Sequence, residues 1–442
     1  MKLTLIKPNI GRREHSLYVD EGRMEPLMLG VLAGLTPEDV EIALYDDRME
    51  TIPYDEPTDL VGITVETYTA RRAYEIAGEY QARNVPVVLG GIHPTLLPEE
   101  SARYADCLVT GDAETVWRDL IEDARRGKLG RRYHGSPGIA QGKIGPRRDL
   151  FRGKGYLPLT LLQFSRGCRY ACSFCAISSY FGRRHFVREI DAVIEEIQAQ
   201  KRNFVFFVDD NIAADRKALK ELCRALIPLH VKWVGQASLD VTDDPELMSL
   251  MEKSGCLGHV MGFESLSQGS LQEARKTPNL RSRPHYEREI SVLRECGLQT
   301  WAAFTLGYDC DTRGSIAATA DFALKNRFAF AAFNILMPYP GTPFYARLRQ
   351  EGRLLYEGRW WLDPTYRFNS AAFLPRNMSP EELTLACHQA RTLFNSLPSL
   401  IRRFSDVQVN MRSVWRTLAY WGYAALFRKE VFKKHGMRFG LK

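Results

Sequence analysis

The chain has 442 residues, of which 45% are hydrophobic and 26% charged, and its formal net charge is +7. These values fit a soluble globular protein of two or three domains, and so mild a charge does not by itself argue for nucleic acid. Nine cysteines without a secretion signal argue against a disulfide framework, and no apolar run reaches spanning length, so a reducing cytoplasm is the expected compartment.

The first 135 residues alternate strand and helix patterns. Strand patterns cover 3–6, 40–45, 60–65, 85–91 and 105–111, and helical patterns cover 24–35, 69–83 and 114–126. Such alternation predicts a parallel, doubly wound sheet, which binds ligands at the carboxyl ends of its strands. From residue 128 the chain is rich in Gly, Pro and Arg, which reads as a linker. The domain boundaries are therefore set at 1–135, a linker at 136–157, and a second domain at 158–345.

In that second domain, strand patterns recur at 159–164, 204–208, 232–238, 258–263, 298–306 and 329–335. Between the first two, Val187, Ile190, Val193, Ile194 and Ile197 fall on one helical face. Six β/α units in series predict a parallel, partial (β/α)6 barrel with its site at the strand carboxyl ends. Residues 346–442 read as mostly helical. Their last apolar stretch, 418–427, is followed by Arg428, Lys429, Lys433, Lys434 and Arg438. That tail reads first as a helix packed on the barrel with a solvated basic end, and second as a peripheral membrane contact. No nucleic-acid module is visible.

The sharpest signal is Cys168, Cys172 and Cys175, spaced C-x3-C-x2-C, with Phe174 before the last cysteine. A 4Fe–4S cluster normally takes four cysteines. Three leave one iron open, and an open metal position is where chemistry can occur. A structural zinc site is the competing reading, but the spacing is unlike paired C-x2-C ribbons and no fourth ligand is evident, since His185 lies ten residues away. Cys107, Cys223, Cys256, Cys296 and Cys387 read as small core residues. Cys310 reads as a loop cysteine, with a substrate-facing role second. Trp360, Trp361, Tyr366 and Phe368 read as aromatic packing first and a substrate wall second.

The cysteine motif resembles that of the radical S-adenosylmethionine (radical SAM) superfamily. The doubly wound domain before it is similar to the cobalamin-binding domain of the branch containing class B methyltransferases and the anaerobic magnesium-protoporphyrin cyclase. The resemblance covers about residues 1–345. It implies that the open iron chelates S-adenosylmethionine, whose one-electron cleavage yields a 5′-deoxyadenosyl radical. It further implies cofactor contacts at Phe174, at Asp209-Asp210-Asn211, at Gln236 and Ser238, at Glu264, and at Gly307 beside Tyr308, where the family commonly has proline. In the first domain, Glu66 and Thr67, the loop Gly90-Gly91-Ile92-His93, and Gly111 with Glu114 resemble segments that line the corrin and its nucleotide tail. The Asp-x-His-x-x-Gly motif of histidine-ligating cobalamin proteins is replaced here by Asp46-Asp47-Arg48-Met49-Glu50, so no histidine reaches cobalt from this position. His93 reads as a contact to the cofactor tail or as a satisfied structural histidine.

The resulting expectation is a cytoplasmic, cobalamin-dependent radical SAM enzyme. It would methylate an unactivated carbon of a small-molecule or lipid-like substrate and draw electrons from a donor such as flavodoxin or ferredoxin. Radical cyclisation, oxidation or rearrangement without methyl transfer is the second reading, and a non-enzymatic redox sensor the third. No catalytic residue beyond the cofactor ligands is legible.

Overall fold

The computed structural model describes residues 1–11, 22–138, 145–200, 202–282 and 286–441. The chain forms two compact units: Met1–Leu157 with Tyr356–Phe368 and Lys433–Lys442, and Pro158–Leu355 with Asn369–Phe432.

The first unit is built on a six-stranded sheet. Its strands are β1 (Lys2–Lys7), β2 (Glu41–Asp46), β3 (Leu60–Thr64), β4 (Val87–Gly90), β5 (Cys107–Gly111) and β6 (Arg132–Gly135). All pairs are parallel, in the order β2-β1-β3-β4-β5-β6. Leu3, Leu5, Leu60, Val88 and Val109 bury one face against Trp117 and Phe151. Trp117 reaches the core because its Nε1 finds a partner there, donating to Thr36 Oγ1 at 2.9 Å. The linker expected from residue 128 starts with a strand instead. Arg132–Gly135 has no apolar run, yet it pairs with β5, and a Cβ at Gly111 would lie 2.0 Å from Gly135 O. This close approach requires glycine rather than a hydrophobic pattern.

The carboxyl-terminal segments that return to this unit could not be foreseen. Trp360, Trp361 and Tyr366 are essentially inaccessible, and Tyr68 packs 5.1 Å from the Trp360 ring. Phe439 closes the same cluster, 5.1 Å from Tyr366. The aromatic-packing reading of these residues therefore holds.

The second unit holds β7 (Thr160–Leu162), β8 (Ser165–Gly167), β9 (His185–Val187), β10 (Phe204–Phe207), β11 (Lys232–Ala237), β12 (Cys256–Glu264), β13 (Gln299–Leu306) and β14 (Phe330–Ile335). Six of these form a parallel sheet in the order β14-β13-β12-β11-β10-β7, while β8 and β9 form a separate antiparallel hairpin. The sheet is open, with β14 and β7 at its edges, as a partial barrel requires. The helix Pro380–Phe394 starts with a capping box of Ser379 and Glu382. It also covers the β14 edge: Cys387 Sγ and Arg391 Nε both donate to Phe333 O, at 3.3 and 2.6 Å. Of the solitary cysteines, Cys107, Cys223, Cys256 and Cys387 are buried, Cys296 is half-buried and Cys310 is exposed. Among the described residues no helix is long and apolar enough to cross a membrane.

Candidate functional site

The three-cysteine loop leaves the sheet at the carboxyl end of β7 and is held in shape by the residues that follow β10. Gly167, immediately before Cys168, has φ +81°. A Cβ there would lie 2.2 Å from Arg184 O, so only glycine lets the β8–β9 hairpin close. Asp209 accepts from Phe164 N at 3.2 Å, from Ser165 Oγ at 2.5 Å and from Ser165 N. Asp210 Oδ2 accepts from Gly167 N at 2.8 Å. Asn211 Nδ2 lies 3.7 Å from Cys168 Sγ and donates to Ser238 Oγ at 3.2 Å, while its Oδ1 accepts from Ser238 N. One tripeptide thus ties the cysteine loop to the ends of β10 and β11. Asp209 is wholly enclosed, so it acts on the loop backbone rather than at the loop surface. Burial pushes its carboxyl up to about 7. On the far side, Ser173 N donates to Ala274 O at 2.9 Å and Ser173 Oγ to Glu273 O at 2.8 Å. Phe174 and Gln236 are half-buried, and Ser238 is almost fully buried.

Cys172 is buried, Cys168 and Cys175 are partly open, and all three are free thiols. Burial raises the Cys172 thiol to about 11, so metal loading must displace its proton. Among the described residues no three His, Cys, Asp or Glu side chains close around a single ion. A cubane asks for less, because each cysteine binds a different iron. Three soft donors on one short, braced loop suit an iron–sulfur cluster.

Beside this loop lies a buried ion pair that the sequence did not reveal. Lys276 Nζ donates to Glu264 Oε1 at 2.8 Å, and the two side chains are only 16% and 8% exposed. Thr305 Oγ1 donates to the other oxygen, Oε2, at 2.6 Å. Glu264 ends β12 at φ +61°, where the pairing with β13 slips by one residue. A non-glycine residue held there is strained, as is common at functional sites. Gly262 leaves room for it: a Cβ there would lie 2.2 Å from Glu264 Oε1, so a larger residue would have to displace the paired carboxylate. Burial opposes the charge on Lys276, but Glu264 and the thiols of Cys172 and Cys175 hold its ammonium above the ordinary lysine value. Lys276 thus balances a buried carboxylate and, lying within electrostatic reach of Cys172 and Cys175, would also balance an anionic cluster held there. No motif marked it, since it is a single lysine twelve positions beyond Glu264.

Gly307, at φ +109°, begins the next turn. Asp311 Oδ2 accepts from Gly307 N and Tyr308 N at 2.8 and 3.1 Å. Tyr308 is buried, and its hydroxyl has no hydrogen-bond partner among the described residues. A buried, unsatisfied hydroxyl costs free energy unless a ligand answers it. Glu264, Lys276 and this hydroxyl together suit the charged and hydroxyl-bearing S-adenosylmethionine.

The first unit presents a second crevice. Its strand order contains the 2-1-3-4-5 pattern, so the switch point lies between β1 and β3. Lys7, at the end of β1, spans it to Glu66, just past β3, with Nζ–Oε1 at 2.5 Å. The ammonium holds the Glu66 carboxyl below the usual carboxylate range. Thr67 is buried beside it. Gly90 ends β4 and Gly91 follows it, and a Cβ at Gly91 would lie 2.9 Å from Val65 O. Gly111 N donates to Thr95 Oγ1 at 3.0 Å, and Glu114 is half-buried beyond it. The imidazole of His93 is wholly buried. Its Nδ1 lies 3.3 Å from Thr67 Oγ1 and its Nε2 3.2 Å from Glu100 Oε1. Trp361 Nε1 donates to the same Glu100 oxygen at 2.9 Å. Both ring nitrogens are therefore engaged within the protein, which favours the structural of the two readings for His93. At the place where other proteins offer cobalt a histidine, Arg48 is fixed by Asp46, with Nε–Oδ1 at 2.9 Å and Nη2–Oδ2 at 2.7 Å. The residues fit a cobalamin held without a protein imidazole.

When bound, the cluster with S-adenosylmethionine supplies one-electron chemistry able to break an unactivated C–H bond, and cobalamin supplies a transferable methyl group. The chain's own contribution is to brace the cysteine loop, to balance its charge and to shape the two crevices.

The comparisons agree with this geometry. The B12 binding domain family matches residues 21–121 and the Radical SAM superfamily matches residues 162–323. Bacteriochlorophyllide d C-12(1)-methyltransferase of Chlorobaculum tepidum is 31% identical over 396 residues, covering 86% of this chain and 84% of that protein. Bacteriochlorophyllide d C-8(2)-methyltransferase of the same organism is 31% identical over 363 residues, covering 76% and 80%. The radical S-adenosylmethionine methyltransferase TsrM of Kitasatospora setae shares the fold with a TM-score of 0.63 at 18% identity, covering 79% of this chain and 76% of that one. The chain belongs to the cobalamin-binding radical SAM methyltransferases, whose cofactors are a 4Fe–4S cluster, S-adenosylmethionine and cobalamin.

Proposed function

We propose that this protein methylates an unactivated carbon of a tetrapyrrole, a small-molecule substrate with a large apolar ring. The observation that carries the reading is the 31% identity over 86% of this chain to a bacteriochlorophyllide d methyltransferase, which spans both cofactor regions. On this reading Cys168, Cys172 and Cys175 hold the cluster. Glu264, Tyr308 and the β11 end at Gln236 and Ser238 face S-adenosylmethionine, and the β3, β4 and β5 ends face cobalamin. An electron donor such as flavodoxin or ferredoxin and a cytoplasmic setting belong to the same reading.

The test is anaerobic turnover with cobalamin, S-adenosylmethionine, a reductant and bacteriochlorophyllide d, read by mass spectrometry. The expected result is an acceptor enlarged by one methylene, with both S-adenosylhomocysteine and 5′-deoxyadenosine formed. An acceptor altered without that gain, with 5′-deoxyadenosine alone, would replace methyl transfer by cyclisation, oxidation or rearrangement. Absence of turnover with any tetrapyrrole offered would remove the substrate class.

A further inference from the structure

The helix Val414–Lys434 is apolar on two faces. Its inner face packs Tyr420 and Ala424 against Trp301 and Leu400. Its outer face repeats at helical spacing through Val414, Leu418 and Trp421, which are 75%, 60% and 43% exposed, with Trp415 beside them. A globular surface helix normally turns charge outward. Here the outward charges appear only further along, at the exposed Arg428 and Lys429. The neighbouring helix Leu397–Phe404 adds Leu397 and Ile401, 58% and 62% exposed and one turn apart. The two helices touch through Phe404 and Trp421, with ring centroids 4.9 Å apart. Among the described residues, ten of the fifteen well-exposed large apolar side chains lie between positions 385 and 421, so exposed apolar surface is concentrated in this part of the chain.

Charge selects the occupant. Between positions 396 and 429 the sequence has six basic residues and one acid, Asp406. That acid is buried and paired with Arg294 at 2.5 Å. Of the six basic residues, Arg403 is buried, Arg416 is half-buried on Gly297 O, and Arg412 pairs with Glu252 at 2.9 Å, so the positive charge of this face comes from the exposed Arg402, Arg428 and Lys429. A second copy docked across a two-fold axis would oppose like charges. An anionic lipid surface satisfies both features, taking the Trp and Leu side chains at headgroup depth and the Arg and Lys against its phosphates.

We infer that the outer face of the helices Leu397–Phe404 and Val414–Lys434 docks this protein peripherally on an anionic membrane. The contact stands apart from the reaction chemistry and brings the site to a pool of apolar substrate.

The experiment is flotation of the full-length protein with phosphatidylcholine vesicles, with and without phosphatidylglycerol. Binding to the anionic vesicles, weakened by salt, is expected. Leu418→Glu with Trp421→Glu should abolish it while the circular dichroism and iron content stay those of the parent. Arg428→Gln with Lys429→Gln should weaken it about thirtyfold. No flotation of the parent protein, or undiminished flotation of the Leu418→Glu/Trp421→Glu variant, would overturn the inference. So would a concentration-dependent dimer that this variant dissolves, because the face would then belong to a second copy. Vesicle binding needs no turnover, so its failure leaves the methyl-transfer reading standing, and the reverse also holds.

Discussion

Replacing Lys276 by methionine keeps the volume of the side chain but strands Glu264. The carboxylate side chain is only 8% exposed and loses its 2.8 Å partner. Breaking a buried ion pair from one side costs about 3–5 kcal/mol. Thr305 Oγ1 still donates at 2.6 Å, which places the expectation at the lower end, about 3 kcal/mol. Adding Glu264→Gln removes the stranded charge, so the double variant should recover about half of the loss. The assay is urea unfolding of the reduced apoprotein, followed for the parent, both single variants and the double variant. With a slope of about 3 kcal/mol per M, Lys276→Met should lower the midpoint by about 1 M. The coupling across the cycle should be about 1.5 kcal/mol or more. A shift of Lys276→Met below about 0.5 kcal/mol, or strictly additive effects, would refute the claim that this pair is an internal strut.

Other outcomes follow from individual side chains. Burial depresses His259 to about 4, with its ring against Trp233 and Cys256. The unfolded chain takes up that proton below about pH 6.5 and the folded chain does not, so stability should fall by about 3 kcal/mol as pH drops from 6.5 to 4. His259→Phe should flatten that share of the acid limb in unfolding curves, and an unchanged limb would reject the assignment. Tyr308→Phe removes a buried hydroxyl that has no partner among the described residues, so it should stabilise the apoprotein by about 1 kcal/mol yet weaken S-adenosylmethionine binding several-fold by calorimetry. Loss of stability without loss of affinity would contradict the ligand-facing role. Asn211→Ala removes the bonds to Ser238 and the contact with Cys168. The reconstituted variant should lose iron on gel filtration faster than the parent, and equal retention would show that the loop needs no such brace.

Much of the fold was legible because its strands are apolar runs that end at glycines or carboxylates. Leu60–Thr64 and Phe204–Phe207 are examples, and the cysteine spacing named its own chemistry. Arg132–Gly135 was not legible as a strand, because its pairing rests on two glycines packed backbone to backbone rather than on hydrophobic residues. The return of Tyr356–Phe368 and Lys433–Lys442 to the first unit depends on aromatic contacts between residues hundreds of positions apart, which periodicity cannot report. At the site, the tripeptide after β10 was found, but the grip of Asp209 and Asp210 on the loop backbone was not, since backbone acceptance leaves no pattern. Lys276 was missed for a related reason: one lysine on a surface-like stretch becomes a buried counter-charge only when the bulge at Glu264 turns toward it.

The most direct test compares anaerobically isolated parent protein with Cys175→Ala, measuring iron content together with 5′-deoxyadenosine formed from S-adenosylmethionine and dithionite. The parent should hold about four irons per chain and form the nucleoside, and the variant should lose both. A variant that still forms 5′-deoxyadenosine, or a parent that forms it without iron, would contradict the account at its root.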